Sequence, residues 1–203
     1  GSGLDLALHL ASVLFREGVM IVPSSAALLD PTISEVIIEF EHPRYTMGGV
    51  SGAVPVGSFI FKWEAAVEIQ KPVTITTSDN VSTSIGAEPT DIGTLMTGLT
   101  YSGITDTTLA VEVQKSYALA PPDNVSFDPN MPVIAVRSNH SFLKEDLKVN
   151  LAASVFGWQA EKGWLGRGDV NYTLLQGVSA ALGYMLYSPQ DELGPIAGYD
   201  RHD

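Results

Sequence analysis

Hydrophobic and polar residues alternate along most of the chain. The clearest example runs from Ser58 to Gln70, where six apolar residues occupy one set of alternate positions and mostly polar residues occupy the other. Successive side chains of a β-strand point to opposite faces, so this pattern predicts a strand with one apolar and one polar face. The segments 107–117, 147–159 and 167–174 alternate in the same way. The pattern therefore predicts an all-β protein.

Counting between turn signals gives nine candidate strands. They cover residues 4–16, 35–52, 58–70, 92–101, 107–117, 132–141, 147–159, 167–174 and 178–187. The first segment also fits a helical stripe, and we interpret it as a strand because its surroundings are rich in strands. Pro43 lies inside the second segment, and we expect a kink there because proline cannot donate to a sheet ladder.

Short and long connections alternate between these strands. Short turns are expected at 54–57, 102–106, 143–146 and 175–177, and long polar connections at 71–91, 118–130 and after 188. Short turns at one rim and long loops at the other are typical of an antiparallel transmembrane β-barrel. Single-chain bacterial barrels have even strand numbers, so nine strands indicate a segment of a larger barrel. We expect residues 1–203 to be one barrel segment, a fragment without the N-terminal strands and the last C-terminal strand.

Composition narrows the classes of protein and partner. The chain is 45% hydrophobic, and no apolar run approaches the roughly 18 to 20 residues that a spanning helix needs. A formal net charge of -12 argues against nucleic acid or an anionic membrane surface as the main partner. The absence of cysteine excludes disulfides and a cysteine nucleophile.

Two sets of candidate residues follow if the apolar strand faces contact lipid. The lipid-facing candidates are Phe59, Phe61, Trp63, Val67, Ile69, Leu109, Val111, Val113, Leu147, Val149 and Leu151. The lumen-lining candidates are Lys62, Glu64, Glu68, Glu112, Gln114, Arg137, Lys148, Asn150, Asp169 and Asn171. We expect the second set to line a water-filled path or to form a cross-linked interior. Most tryptophans and tyrosines lie near strand ends, where aromatic girdles occur in membrane barrels.

The sequence predicts no enzyme, metal site or cofactor. Residues 49–53 superficially suggest a nucleophile elbow around Ser51, but the second glycine of that motif is missing and no helix follows. The four histidines are scattered, without metal-ligand spacing. Asp191, Glu192, Asp200 and Asp203 lack the spacing of a calcium loop, so we interpret them as a solvated acidic segment.

Several quoted stretches resemble the C-terminal half of a family of proteobacterial outer-membrane proteins, domain-of-unknown-function family 1302. They include "HPRYTMGGVSGAVPVGSFIFKWEAA", "YSGITDTTLAVEV", "FLKEDLKVNLAASVFGW" and "ELGPIAGYDRHD", within residues 41–203. The resemblance implies a barrel in the bacterial outer membrane, surrounded by membrane lipids, that moves lipid-like or hydrophobic compounds. It also implies a periplasmic or lipoprotein partner and an inner-membrane exporter. No catalytic residues follow from it.

A different class of protein fits the same alternation. In a soluble all-β binding or adhesion module, either a sandwich or a lipocalin-like barrel, the apolar strand faces turn inward. The alternation by itself does not distinguish an apolar face that meets a core from one that meets lipid.

Overall fold

The computed structural model describes residues 3–16, 18–21, 38–78, 83–125, 128, 130–175, 177–191 and 194–196. In this part of the chain, nine strands form one antiparallel sheet and two short strands form a separate ribbon. The large sheet contains β1 (Asp5–Leu14), β4 (Arg44–Val56), β5 (Phe59–Ser78), β6 (Thr83–Ile104), β7 (Thr107–Leu119), β8 (Pro132–Phe142), β9 (Leu147–Phe156), β10 (Trp164–Leu175) and β11 (Val178–Ser188). The ribbon pairs β2 (Val19–Ile21) with β3 (Glu39–Glu41).

The large sheet is a meander in the order β1-β4-β5-β6-β7-β8-β9-β10-β11. Its edges are β1 and β11, which are not paired with each other within the described part of the chain. The prediction of an all-β chain with nine antiparallel strands is confirmed. The interpretation of the first segment as a strand is also confirmed, because β1 pairs along its whole length with β4.

The two rims of the sheet differ in how their strands are joined. The connections 57–58, 105–106, 143–146 and 176–177 are short, and we call their side of the sheet the turn rim. The opposite ends, joined through 15–43, 79–82, 120–131 and 157–163, form the loop rim. The predicted contrast between short turns at one rim and long connections at the other is only partly confirmed, because the 79–82 connection is as short as the 143–146 connection.

The second predicted strand, 35–52, is divided at the expected place. β3 ends at Glu41 and β4 begins at Arg44, so Pro43 lies between them. Pro43 lacks an N–H for a ladder, but its carbonyl accepts a hydrogen bond from the Phe15 backbone N–H at 3.0 Å. The kink is therefore confirmed, whereas a continuous strand is wrong. Residues 35–37 lie outside the described residues.

The predicted loop over 71–91 is wrong, because most of it belongs to β5 and β6. Lys71 to Ser78 pair with Thr83 to Thr90 as an antiparallel extension of the sheet. Val, Ile and Thr in this segment favour extended backbone, which outweighs its prolines. Pro72 lies opposite Pro89, and neither can donate a ladder bond, so the pair fits a non-hydrogen-bonded position of the ladder.

A second boundary prediction is also wrong by a few residues. The expected turn at 54–57 begins later, because β4 continues to Val56 and only Gly57 and Ser58 lie between it and β5. Gly57 has φ +59°, a left-handed conformation that glycine adopts without a steric penalty. The turn is therefore fixed by the single glycine and not by Pro55, which lies within β4.

Connections at the loop rim contact one another. The Thr76 backbone N–H donates to the Asn124 carbonyl at 2.9 Å, which links the extension of β5 to the 120–131 connection. Lys162 forms an ion pair with Asp191 at 2.7 Å, which links the 157–163 turn to the residues after β11. Val19 in the ribbon is only 2% exposed. Part of the small buried core of the described chain therefore lies at this rim.

A substitution at Gly52 tests the packing between β4 and β5. Gly52 lies opposite Trp63, and a Cβ atom added to Gly52 would approach the indole to 2.7 Å. We expect Gly52→Val to lower the free energy of unfolding by about 1–3 kcal/mol, because the indole must leave its position. Gly93→Val is the matched control, since nothing lies within 4 Å of a Cβ there. Equal losses in denaturant unfolding at both positions would contradict this packing.

The 157–163 turn provides a pH-dependent test. The Glu161 carboxylate accepts hydrogen bonds from the backbone N–H groups of Trp158 and Gln159 at 3.2 and 2.7 Å. Bonds from backbone amides, first its own and then that of Gln159, lower the pKa of Glu161. The hydrogen bond to Asp191 raises the pKa of Lys162.

These shifts define the pH range in which the turn is stable. The contribution of Glu161 is complete above the ordinary carboxyl value of 4.5 and is lost as pH falls through the lowered pKa. The contribution of Lys162 is complete below 10.5 and is lost as pH rises through the raised pKa.

Hydrogen-exchange protection of the Trp158 and Gln159 amides should fall below pH 4.5, and Glu161→Gln should remove that dependence. Glu145→Gln, in a turn-rim connection, should leave it unchanged; an acid profile that survives Glu161→Gln would refute this role.

Candidate functional site

Strand register places all of the lumen-lining candidates on one face of the sheet. Residues directly opposite each other in an antiparallel pair share a face. Lys62 lies opposite Gly98, Gly98 opposite Glu112, and Glu112 opposite Ala135. Continuing this through the other pairs, the face, here called the polar face, includes Lys62, Glu64, Glu68, Glu112, Gln114, Arg137, Lys148, Asn150, Asp169 and Asn171.

The other face, here called the apolar face, includes every lipid-facing candidate. Phe61 lies opposite Leu99, Leu99 opposite Val111, and Val111 opposite Val136. The same tracing gives Phe59, Phe61, Trp63, Val67, Ile69, Leu109, Val111, Val113, Leu147, Val149 and Leu151. Two sets that were predicted strand by strand thus each lie on a single continuous face.

Large apolar side chains of the apolar face are exposed, whereas some residues of the polar face are buried, which is the reverse of a sheet in a soluble protein. On the apolar face, Leu8 is 85% exposed and Leu182 is 79% exposed. The apolar residues Ile92 and Ala110, by contrast, lie on the polar face and are only 5% and 6% exposed. A sheet in a soluble protein buries its apolar face against a second layer. Within the described residues, no such layer covers this one.

The part of the polar face on β4 to β7 is mainly acidic. Glu64, Glu68 and Glu112 lie there with Lys62, and Lys71 joins them from the extension of β5. The Glu68 carboxylate forms an ion pair with the Lys71 ammonium at 2.8 Å. Glu68 is thereby neutralised locally, whereas Glu64 is exposed and makes no ion pair within the described part of the chain.

Residues from the loop rim border this acidic part. A cavity of about 340 Å³ lies between the polar face, including Glu68, Ile92 and Gln114, and residues of two connections, Phe15 and Asp128. The polar face is therefore partly covered at the loop rim.

The part on β8 to β10 is mainly basic and richer in amides. Asn150 Nδ2 donates to Asp169 Oδ2 at 2.7 Å, and Arg167 Nε lies 3.4 Å from Asp169 Oδ1. Arg137 and Lys148 lie on the same face and are exposed. Neither side chain forms an ion pair or hydrogen bond with another described residue.

Several residues of the polar face were missed in the sequence. Arg167 has the same alternate spacing as Asp169 and Asn171, so the alternation could have identified it. Lys71 was missed because residues 71–91 were interpreted as a loop. Asn139 and Ser141 were missed although they alternate with Arg137 along β8. The parity of each strand was the available signal for Arg167, Asn139 and Ser141. It gives no signal for Lys71, because the register shifts between Glu68 and Lys71.

The predicted aromatic girdle is only partly formed. At the turn rim, the rings of Phe59 and Tyr101 lie 4.7 Å apart on the apolar face, close to the ends of β5 and β6. At the loop rim, Trp164 begins β10 on the same face. Tyr187 also lies near a strand end, as the sequence indicated, but its partner Leu165 places it on the polar face.

Potential metal ligands are not clustered in the described residues. No group of three or more His, Cys, Asp or Glu in this part of the chain could share a metal ion. Of the acidic residues near the C-terminus, Asp191 is described and is paired with Lys162, whereas Glu192, Asp200 and Asp203 lie outside the described residues. Ser51 lies within β4 opposite Glu64, so it is not at a strand-to-helix turn.

The described residues also contain no helix that is long and apolar enough to cross a membrane. No family model, curated protein or solved structure matches this chain. The resemblance to the outer-membrane family therefore stays a prediction, and the site is defined by its own geometry, a nine-stranded sheet with one apolar and one charged face.

Proposed function

We propose that this chain forms part of the wall of a β-barrel channel or transporter in the bacterial outer membrane. The apolar face contacts lipid, and the polar face lines the path of the solute. The observation that supports this most strongly is the continuous apolar face, whose large side chains are exposed across the whole sheet. Monomeric soluble proteins rarely expose a contiguous apolar patch of this size to water, and larger patches mark contacts with a membrane or a partner.

Strand length supports the same proposal. Each strand of the large sheet has at least 10 residues, and β5 and β6 have 20 and 22. A tilted strand needs about 9 to 11 residues to cross a bilayer, whereas strands of globular proteins average about 5 to 6 residues. The sheet is therefore tall enough to span the hydrocarbon region, and the extension of β5 and β6 reaches beyond it.

The distribution of buried residues favours lipid over a soluble core. In a sandwich or lipocalin-like barrel, the large residues of the apolar face would be covered and the polar face would meet water. The described chain instead buries small residues such as Ala110 on the polar face and leaves Leu95 57% exposed on the other. A soluble binding or adhesion module would need a covering layer over the apolar face, and the described residues provide none.

The compound carried is proposed from the family resemblance and from the nature of the path. The resemblance implies lipid-like or hydrophobic compounds, delivered with a periplasmic or lipoprotein partner and an inner-membrane exporter. The polar face offers a mainly acidic part on β4 to β7 and a mainly basic, amide-containing part on β8 to β10, with the 340 Å³ cavity at the loop rim. Such a path suits amphipathic solutes with a polar head better than fully apolar ones.

Adjacent residues of β7 give a matched test of which face meets lipid. Val111 is 40% exposed on the apolar face, and Glu112 lies on the polar face next to it. Val111→Arg should make folding into a bilayer less favourable by about 2–4 kcal/mol, because it places a charge near the middle of the lipid. Glu112→Arg should cost much less. Equal tolerance at both positions, measured by denaturant titration in lipid vesicles, would contradict the proposal.

Transport requires a separate measurement. The protein, in its longest natural form, should need detergent for extraction and should conduct ions or pass a hydrophobic probe when reconstituted. Solubility in plain buffer would refute the membrane location. Stable insertion with a sealed bilayer would refute the path and leave only a structural role.

A further inference from the structure

Three strands of the polar face bring two arginines to either side of one alanine. Arg137 on β8 lies opposite Ala152 on β9, and Ala152 lies opposite Arg167 on β10. Neighbouring strands are about 4.8 Å apart, so the two arginine Cα atoms are separated by roughly 10 Å. The side chain between them, that of Ala152, is a single methyl group.

This part of the polar face is positive in a protein that is strongly negative. Arg137, Lys148 and Arg167 face one carboxylate, Asp169, which leaves an excess of two positive charges on β8 to β10. The chain as a whole has a net charge of -12. If these residues only stabilised the sheet, we would expect a carboxylate partner for each positive side chain.

The single carboxylate does not neutralise both arginines. Asp169 accepts a hydrogen bond from Asn150 at 2.7 Å and is 3.4 Å from Arg167 Nε, with the Arg167 side chain still 61% exposed. The guanidinium group of Arg137 forms no ion pair or hydrogen bond with the described residues. Arg137 is therefore a free cation, and Arg167 keeps most of its donors available.

A small cavity lies beside Arg137. Its volume is about 170 Å³, and its lining includes Ala110, Ala135, Ala152 and Ser154. Glu112 closes the side toward β7 and marks where the acidic part of the polar face begins. Arg137 supplies donors to this space, and the small side chains around it leave room for a compact group. Arg167 lies outside the lining, on the next strand beyond Ala152.

We propose that Arg137 and Arg167 bind an oxyanion group, a phosphate or carboxylate, on its way along the polar face. Arginine presents paired N–H donors that match two oxygens of such a group, which lysine cannot do. The group belongs either to a free anion or to the head of an amphipathic solute. This site deepens the proposed function and rests on it for its role, because bound groups move along the polar face only if that face lines a path.

Binding is tested on the full chain, folded in a nonionic detergent and titrated calorimetrically at low chloride with inorganic phosphate and with dodecyl phosphate. Arg137→Gln/Arg167→Gln should weaken binding at least about tenfold, because charge-assisted hydrogen bonds are lost. Lys62→Gln, on the same face but three strands away, should leave the affinity unchanged. Tighter binding of dodecyl phosphate identifies an amphipathic head, and equal affinities identify a free anion.

A second variant keeps the site testable if the first variant does not fold. Arg137→Lys/Arg167→Lys keeps both charges and should still weaken binding, since lysine cannot make the forked contact. The site would be overturned if neither probe bound to the original protein. It would also be overturned if both arginine variants bound the probes as tightly as the original protein does. Conductance of the same preparations separates the two proposals. Binding without conductance refutes the path but supports the site, and conductance with unchanged binding in the variants refutes the site alone.

Discussion

The preserved parity of the strand register determines which residues share a face. Shifting any strand by one residue would move its apolar side chains to the charged face, because side chains alternate with a period of two. The register is unbroken in the pairs β1–β4, β4–β5, β7–β8, β8–β9 and β9–β10. Two irregularities lie near strand ends, between Tyr101 and Ile104 and between Thr173 and Leu175, and a third, between Glu68 and Lys71, lies midway along β5 where its extension begins. Below that point the same residues of β5 stay on the same face from pair to pair.

This constraint also explains how a chain with few buried residues keeps a defined structure. Antiparallel pairing satisfies the backbone of each inner strand on both sides, which is the requirement for any structure within lipid. The large apolar side chains do not need a protein core if lipid surrounds them. The edges β1 and β11 remain the places where further pairing would occur, since exposed edges are templates for another strand.

Much of the sheet could be predicted from alternation alone, because parity is a local property. The segment 58–70 showed which residues share a side, and the structure places them so. The β2–β3 ribbon and the extension over 71–90 were not predicted. Three-residue strands carry too little alternation to be recognised, and the prolines at 72 and 89 resemble loop signals until their pairing is known.

Neighbours across strands were harder to predict than faces. That Arg137 and Arg167 flank Ala152 depends on the register of two strand pairs, which turn lengths and end bulges set. No local pattern contains that information. The sequence therefore predicted which residues are polar-facing, whereas the division into an acidic part on β4 to β7 and a basic part on β8 to β10 emerged only from the structure.

The central claim is that the apolar face meets lipid and the polar face meets water. The chain contains no cysteine, so single cysteines introduced at positions 109 to 114 of β7 can each carry a unique spin label. In lipid vesicles, labels at 109, 111 and 113 should collide with dissolved oxygen, and labels at 110, 112 and 114 with a water-soluble nickel chelate. Accessibility without a period of two, or nickel contact at the odd positions, would contradict the claim.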